Sequence, residues 1–226
     1  MNNDNNNINN KIDHTLLKSN ATVEDIERLC NEAKEYQFYS VCVNPYYVEL
    51  AKHYLQGTSI KVACVVGFPL GANLTEIKVL EAKRAKEDGA DEIDMVMNIG
   101  AFKAKNYDYV LNEINAVCSA VGIPVKVIIE TSELVGEELK TACDIFNKSN
   151  AQFIKTSTGF TSSGANVEDV KFIRKHTLKT KQVKASGGIR DLQTAKQMLK
   201  AGAERLGLSS GVKIALEQLE GANRQN

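Results

Sequence analysis

The chain has 226 residues with 28 Lys+Arg and 28 Asp+Glu, so its formal net charge is zero. That balance argues against a nucleic-acid binder relying on bulk positive charge, though it leaves room for a local anion site. Its 43% hydrophobic and 25% charged residues are ordinary for a soluble globular protein, and a chain of this length can bury roughly 70% of its unfolded surface in one domain or two small ones.

No apolar run approaches the ~18 residues of a membrane span, and the amino terminus lacks an apolar signal-peptide core. The expected location is therefore the cytoplasm, with no membrane partner. The five cysteines, Cys30, Cys42, Cys64, Cys118 and Cys143, are odd in number and widely spaced, with no C-x-x-C. This is neither a disulfide framework nor a zinc pattern, and reduced, mostly buried thiols are expected. His14, His53 and His176 are too scattered to suggest a metal site.

Residues 1–10 read MNNDNNNINN. Such a polar tract cannot bury a core, so a disordered tail is expected there, followed by a single domain over 11–226. In chain order, the strand candidates are Lys11–Leu16, Tyr39–Asn44, Lys61–Gly67, Asp91–Asn98, Val125–Thr131, Gln152–Ser157, Lys181–Ser186 and Glu204–Gly207. Their starts recur about every 28 residues, which suits a βα repeat. The segments between them have helical periodicity and start signals. Thr22 and Asp25 form a capping-box pattern ahead of Ile26, Leu29 and Ala33; Asn166 with Asp169 makes a similar start, and Asp191 precedes Leu192, Ala195 and Met198. Eight strands, each followed by a helix, predict an α/β fold: a single-domain (β/α)8 TIM barrel. An open doubly wound sheet would need fewer, less evenly spaced units.

Side chains alternate faces along a strand. In the fourth candidate, Ile93, Met95 and Met97 oppose Glu92, Asp94, Val96 and Asn98. In the fifth, Val125, Val127 and Ile129 oppose Lys126, Ile128 and Glu130. Helices cover the outside of a barrel, so the apolar parity points outward. Asp13, Asp94, Lys126, Glu130, Lys155 and Lys184 are then expected to converge inside. A barrel-filling ion network is the alternative, but such networks are weak stabilising devices, and apolar filling would avoid the desolvation of several charges. A functional site is the preferred reading.

Two inward lysines close together disfavour each other's protonation, as does partial desolvation. A lysine that is neutral near pH 7 can attack a carbonyl and form a Schiff base, whose iminium is an electron sink for an adjacent C–C bond. An inward Asp94 could move protons directly or through water. This chemistry needs no metal and no cofactor. At the carboxyl ends of the last strands lie Thr158-Gly159, then Ser186-Gly187-Gly188-Ile189-Arg190, then Gly207-Leu208-Ser209-Ser210-Gly211. Glycine-rich loops after the last two strands commonly hold phosphate in this fold, since backbone N–H groups and a helix amino terminus can approach the anion there.

The run Phe153-Ile154-Lys155-Thr156-Ser157-Thr158-Gly159-Phe160 resembles the Schiff-base strand of the deoxyribose-phosphate aldolase family. The stretches Ile12–Lys18, Val41–Pro45, Val66–Gly71, Asp91–Val96, Lys126–Thr131 and Val183–Arg190 match in order, so the resemblance covers nearly the whole chain. It implies a metal-independent class I aldolase that cleaves 2-deoxy-D-ribose 5-phosphate reversibly to D-glyceraldehyde 3-phosphate and acetaldehyde. By motif, Lys155 forms the Schiff base, Lys184 tunes it and assists proton transfer, and Asp94 is the proton donor and acceptor. Gly187, Gly188, Ser209 and Ser210 match phosphate-binding positions, and Gly159, Arg190 and Gly207 belong to the same loops. Asp13, Thr15, Cys42 and Lys126 are expected in the pocket or behind it, simple packing being the equal alternative for Cys42.

Two positions depart from the family pattern. No tyrosine lies beyond Tyr109, whereas some members end in one that reaches the active site. Phe160 stands where some members carry a lysine, so part of the phosphate-site charge is missing; Arg190 or backbone amides could compensate. A different Schiff-base aldolase or transaldolase would keep Lys155 and change the substrate. A non-catalytic phosphosugar-binding barrel would keep the glycine loops without needing Lys155, Lys184 and Asp94 together. The expected partner is a small phosphosugar, not nucleic acid, and a homodimer is the default assembly.

Overall fold

In the computed structural model, which describes residues 7–223, eight parallel strands close into a barrel in chain order. They are β1 (Ile12–Leu16), β2 (Ser40–Val43), β3 (Lys61–Val66), β4 (Glu92–Val96), β5 (Val125–Ile128), β6 (Phe153–Lys155), β7 (Gln182–Ser186) and β8 (Arg205–Leu208). All eight expected strands are present with their ends adjusted by a few residues. Closure pairs β1 with β8, placing Asp13 opposite Gly207.

The helices that follow are α1 (Val23–Tyr36), α2 (Val48–Tyr54), α3 (Thr75–Glu87), α4 (Ile99–Lys103), α5 (Tyr107–Val121), α6 (Glu138–Lys148), α7 (Val167–His176), α8 (Leu192–Lys200) and α9 (Gly211–Asn223). Their starts obey local rules. Thr22 and Asp25 close the expected capping box on α1. The side chains of Asn166 and Asp191 accept N–H groups in the first turns of α7 and α8. Each satisfies donors that a helix leaves unpaired at its amino end.

The main core lies between the outer face of the barrel and the helices, where Ile93, Met95, Val125, Val127 and Ile154 pack with Ile26, Ala82, Ile114 and Ile173. Burying such side chains contributes roughly 1.5–3 kcal/mol each. One buried charged pair sits in this layer. Lys78 on α3 meets Glu113 on α5 at 2.8 Å and donates to the carbonyls of Gly71 and Val96. Glu113 also accepts the Asn98 N–H. The pair ties the loop after β3 to the end of β4.

Within the tail expected over 1–10, residues 8 and 9 are packed against the fold. Residues 1–6 lie outside the described part. Ile8 is buried in the core, and Asn9 donates its side-chain amide to the Tyr36 carbonyl at 2.8 Å. The Ile8 N–H is held by the Gln218 side chain on α9. A single apolar residue among asparagines is enough to anchor the chain beneath β1.

Candidate active site

The strand pleat sends one parity of each strand inward, and in this chain that parity is charged. Asp94 is the hub. Its Oδ1 accepts from Lys126 Nζ at 2.7 Å, and its Oδ2 accepts from both Lys155 Nζ at 2.8 Å and Lys184 Nζ at 2.7 Å. Lys184 also donates to Asp13 Oδ2 at 2.5 Å. Asp13, Asp94, Lys126 and Lys184 are wholly buried, and Lys155 is 3% exposed. Register produces the convergence, because Lys155 sits opposite Lys184, and Asp94 opposite Lys126, on adjacent strands.

Glycine makes room for this cluster at one point. A Cβ on Gly207 would lie 2.8 Å from Lys184 Cε. The Lys184 side chain therefore crosses β8 where no side chain projects.

Burial is the largest influence on each of these ionisable groups, and it opposes the charged form. Around Asp94, the ammoniums of Lys126, Lys155 and Lys184 overcome it and hold the carboxyl well below its usual range. Around Asp13, Lys184, Lys126 and Arg205 do the same. Burial also works against the charge on Lys184, but Asp13 and Asp94 outweigh it and raise its pKa. Lys155 goes the other way: burial prevails over its one carboxylate, the Lys184 ammonium reinforces it, and the pKa is lowered. The two lysines therefore differ in kind. Lys155 is the amine most ready to lose its proton, and Lys184 is a fixed cation.

Above the cluster, at the carboxyl ends of the strands, opens a cleft of about 250 Å³. Thr15, Lys155, Gly159, Gly187, Gly188, Arg190, Gly207 and Ser209 line it. Asp13, Asp94, Lys126 and Lys184 lie beneath it. Among the described residues, the lining includes Lys18 and Arg190 as well as Lys155, and no carboxylate. Ser210 borders a separate groove along α9 and accepts the Ile214 N–H through its carbonyl. Thr15 donates its hydroxyl to the Asp13 carbonyl at 2.8 Å. Cys42 is in the barrel interior with Leu17, Ala63 and Val65, behind the cleft lining to which Leu17 belongs, and burial pushes its thiol pKa up.

Glu130 departs from expectation. β5 ends at Ile128 and the chain turns, so Glu130 has a left-handed backbone with φ of 52°. Its carboxylate accepts the Thr158 N–H at 3.1 Å and the Thr158 hydroxyl, away from Asp94. It braces the loop after β6.

Four contributors escaped the sequence reading. Glu92 and Arg205 complete the ion network at its base. Glu92 stands on the expected inward parity with Asp94 without having been counted among the converging charges, and Arg205 lies two residues before the inward Gly207, so alternation could have found it. Lys18 lines the cleft from the loop after β1. Gly164 is the fourth: a Cβ there would meet the Gly187 carbonyl at 2.2 Å, and Ala165 N–H reaches the Ser186 and Gly187 carbonyls at 3.0 Å. The loops after β6 and β7 thus interlock backbone to backbone.

Residues 8–217 match the model of the DeoC/LacD family aldolases. The chain belongs to that family. It is an aldolase, a lyase built on the TIM barrel. It is 57% identical over 208 residues to the deoxyribose-phosphate aldolase of Thermococcus kodakarensis, covering 90% of this chain and 93% of that one. A solved structure described as QR15, an aldolase, superposes with a TM-score of 0.93 at 44% identity, covering 97% and 99% of the two chains. The tetrameric deoxyribose phosphate aldolase of Aeropyrum pernix superposes with a TM-score of 0.87 at 31% identity, covering 96% and 92%. No helix among the described residues is long and apolar enough to cross a membrane.

Proposed function

We infer that this aldolase cleaves 2-deoxy-D-ribose 5-phosphate reversibly to D-glyceraldehyde 3-phosphate and acetaldehyde, with Lys155 as the Schiff-base nucleophile. The observation that carries the reading is the lysine with lowered pKa at the floor of a cleft lined by cations and glycine loops. The neutral amine of Lys155 attacks the open-chain aldehyde carbon, and loss of water gives the iminium. Removing the C3 hydroxyl proton breaks the C2–C3 bond, and its electron pair moves onto the iminium. Glyceraldehyde 3-phosphate leaves, and the enamine is protonated and hydrolysed to acetaldehyde.

Asp94 is held ionised by the ammoniums around it, Lys126 and Lys184 remaining when Lys155 is neutral, so it does not start as a proton donor. Its first task is to orient Lys155. It becomes a proton acceptor, through water, at stages where the Lys155 nitrogen is uncharged and one ammonium has left its shell. Lys184 keeps Oδ2 occupied throughout. Gly159, Gly187, Gly188, Gly207 and Ser209, just ahead of the α9 amino terminus, hold the phosphate, with Lys18 and Arg190 supplying charge where Phe160 has none. Binding the phosphate at that end positions the reacting bond over Lys155.

The free cysteines fit a reducing compartment, so the cytoplasm is the proposed location. A homodimer is the proposed assembly, two-fold dimers being the commonest. Incubation with deoxyribose 5-phosphate should release acetaldehyde and glyceraldehyde 3-phosphate in equal amounts. In the reverse direction acetaldehyde should be incorporated and dihydroxyacetone should not. Incorporation of dihydroxyacetone in preference would overturn the substrate assignment in favour of another Schiff-base aldolase.

A further inference from the structure

Beneath the lysines lies a second layer of charge that the reaction does not touch. Arg205, the first residue of β8, donates from Nη1 to Asp13 Oδ1 at 2.9 Å and to Glu92 Oε2 at 3.4 Å. Its guanidinium carbon stands 3.3 Å from the centre of the Tyr39 ring, and the Tyr39 hydroxyl donates to Glu92 Oε1 at 3.3 Å. Lys126 spans the two layers, reaching Glu92 Oε2 at 2.6 Å and Asp94 Oδ1 at 2.7 Å. Arg205 and Glu92 are both buried, at the amino-terminal end of the barrel, opposite the cleft.

We propose that Arg205 and Glu92 are positioning residues that set the protonation of Lys155 from the far end of the barrel, through the charge count of one closed network. The tally is short. Facing the interior are Asp13 from β1, the Tyr39 hydroxyl and Cys42 thiol at and before β2, Glu92 and Asp94 from β4, Lys126 from β5, Lys155 from β6, Lys184 from β7 and Arg205 from β8. From β3, Ala63 and Val65 face the interior, while Lys61 at its exposed start leans to Asp91. Glu130, past the end of β5, is turned to Thr158, and Lys18 and Arg190 face Lys155 across the open cleft; these lie outside the closed network. Four cations therefore face three carboxylates, and one positive charge is in excess.

The geometry decides which cation is released. Arg205 stays protonated under any ordinary condition. Lys184 touches Asp13 and Asp94, and Lys126 touches Glu92 and Asp94. Lys155 touches Asp94 alone, through an oxygen it shares with Lys184. Loss of its proton brings the interior to three against three. In a low-dielectric interior an unmatched charge is costly, so the surplus falls on the amine that faces the cleft. Arg205 supplies the surplus, and Glu92 limits it.

The inference rests on Lys155 being the nucleophile, and it makes two removals act in opposite directions. The measurement is the rate of borohydride-trapped adduct on Lys155 with deoxyribose 5-phosphate as a function of pH, with kcat/KM followed in parallel. Adduct forms from the neutral amine, so the rate rises through the Lys155 titration. Arg205→Met removes a cation and should move that midpoint up by about one pH unit. Glu92→Gln removes an anion, keeps a hydrogen-bonding side chain and should move it down by a similar amount. Arg205→Lys should restore the wild-type midpoint.

General damage to the barrel would lower the rate in both variants and leave the midpoint in place. Unmoved midpoints, or midpoints moving the same way, overturn the proposal. If Arg205→Met does not fold, Glu92→Gln against wild type still decides, since an unchanged or raised midpoint contradicts the charge count. Absence of any wild-type adduct on Lys155 would instead overturn the aldolase mechanism, which separates the two failures.

Discussion

Lys155 and Lys184 share one carboxylate oxygen, Oδ2 of Asp94, at 2.8 and 2.7 Å. A single anion cannot fully compensate both ammoniums, and Lys184 has Asp13 in addition. The competition is what separates a lysine prepared to react from one that stays charged. It also gives Asp94 more influence than any other interior group. Asp94→Asn should lower kcat/KM by about 10²–10⁴-fold, the range for loss of a positioned acid–base group. It leaves buried ammoniums short of a partner, and unfolding in urea should show a stability loss of about 3–5 kcal/mol.

The acid limit of the fold follows from the same pair of carboxylates. Asp13 and Asp94 titrate lower in the folded protein than in the unfolded chain, where the value is near 3.8. Their ionisation therefore stabilises the fold above pH 3.8. That contribution drains away as pH falls from there toward the folded values. Thermal unfolding measured between pH 5 and about pH 2 should show a steep loss of Tm. Asp13→Asn should flatten the slope, since one of the two linked protons is then missing.

The phosphate end makes a different prediction. Phe160, 56% exposed, stands edge-on to Phe68 with ring centres 5.1 Å apart, at a position without charge. Lys18→Ala should raise KM for deoxyribose 5-phosphate about tenfold, in keeping with loss of a charge-assisted contact. It should leave kcat/KM for unphosphorylated 2-deoxyribose unchanged. Phe160→Lys should lower KM for the phosphorylated sugar only. Steady-state kinetics on the two sugars checks all three statements.

Gly164 has no chemistry of its own, yet its absent side chain holds the cleft wall together. Gly164→Ala would push a methyl into the Gly187 carbonyl. The loop after β7 must then move away from the phosphate position. KM should rise several-fold while Tm changes little, because the loops lie outside the core; a loss of kcat at unchanged KM would contradict that role.

The barrel and the convergent lysines were legible because a βα repeat and strand alternation are short-range regularities. Asp94, Lys126, Lys155 and Lys184 follow from parity alone; Glu92 stands on the same parity as Asp94, and Arg205 would have followed had the parity been carried into the eighth strand. Glu130 was misplaced because strict alternation fails there: the Ile129 and Thr131 N–H groups bond the consecutive carbonyls of Lys155 and Thr156, so Glu130 between them is an extra, left-handed residue and turns toward Thr158. Gly164 and Lys18 act through contacts between loops distant in sequence, which no periodicity encodes. Lys78 and Glu113 were invisible for a related reason. Each sits on a helix as an ordinary polar residue, and only packing α3 against α5 makes them a buried pair.

The central claim is that Lys155 carries the covalent bond to substrate. Borohydride reduction in the presence of deoxyribose 5-phosphate, followed by peptide mass mapping, tests it most directly. The account predicts one reduced adduct on the peptide containing Lys155, absent in Lys155→Ala. An adduct mainly on Lys184, or none while deoxyribose 5-phosphate is turned over, would contradict it.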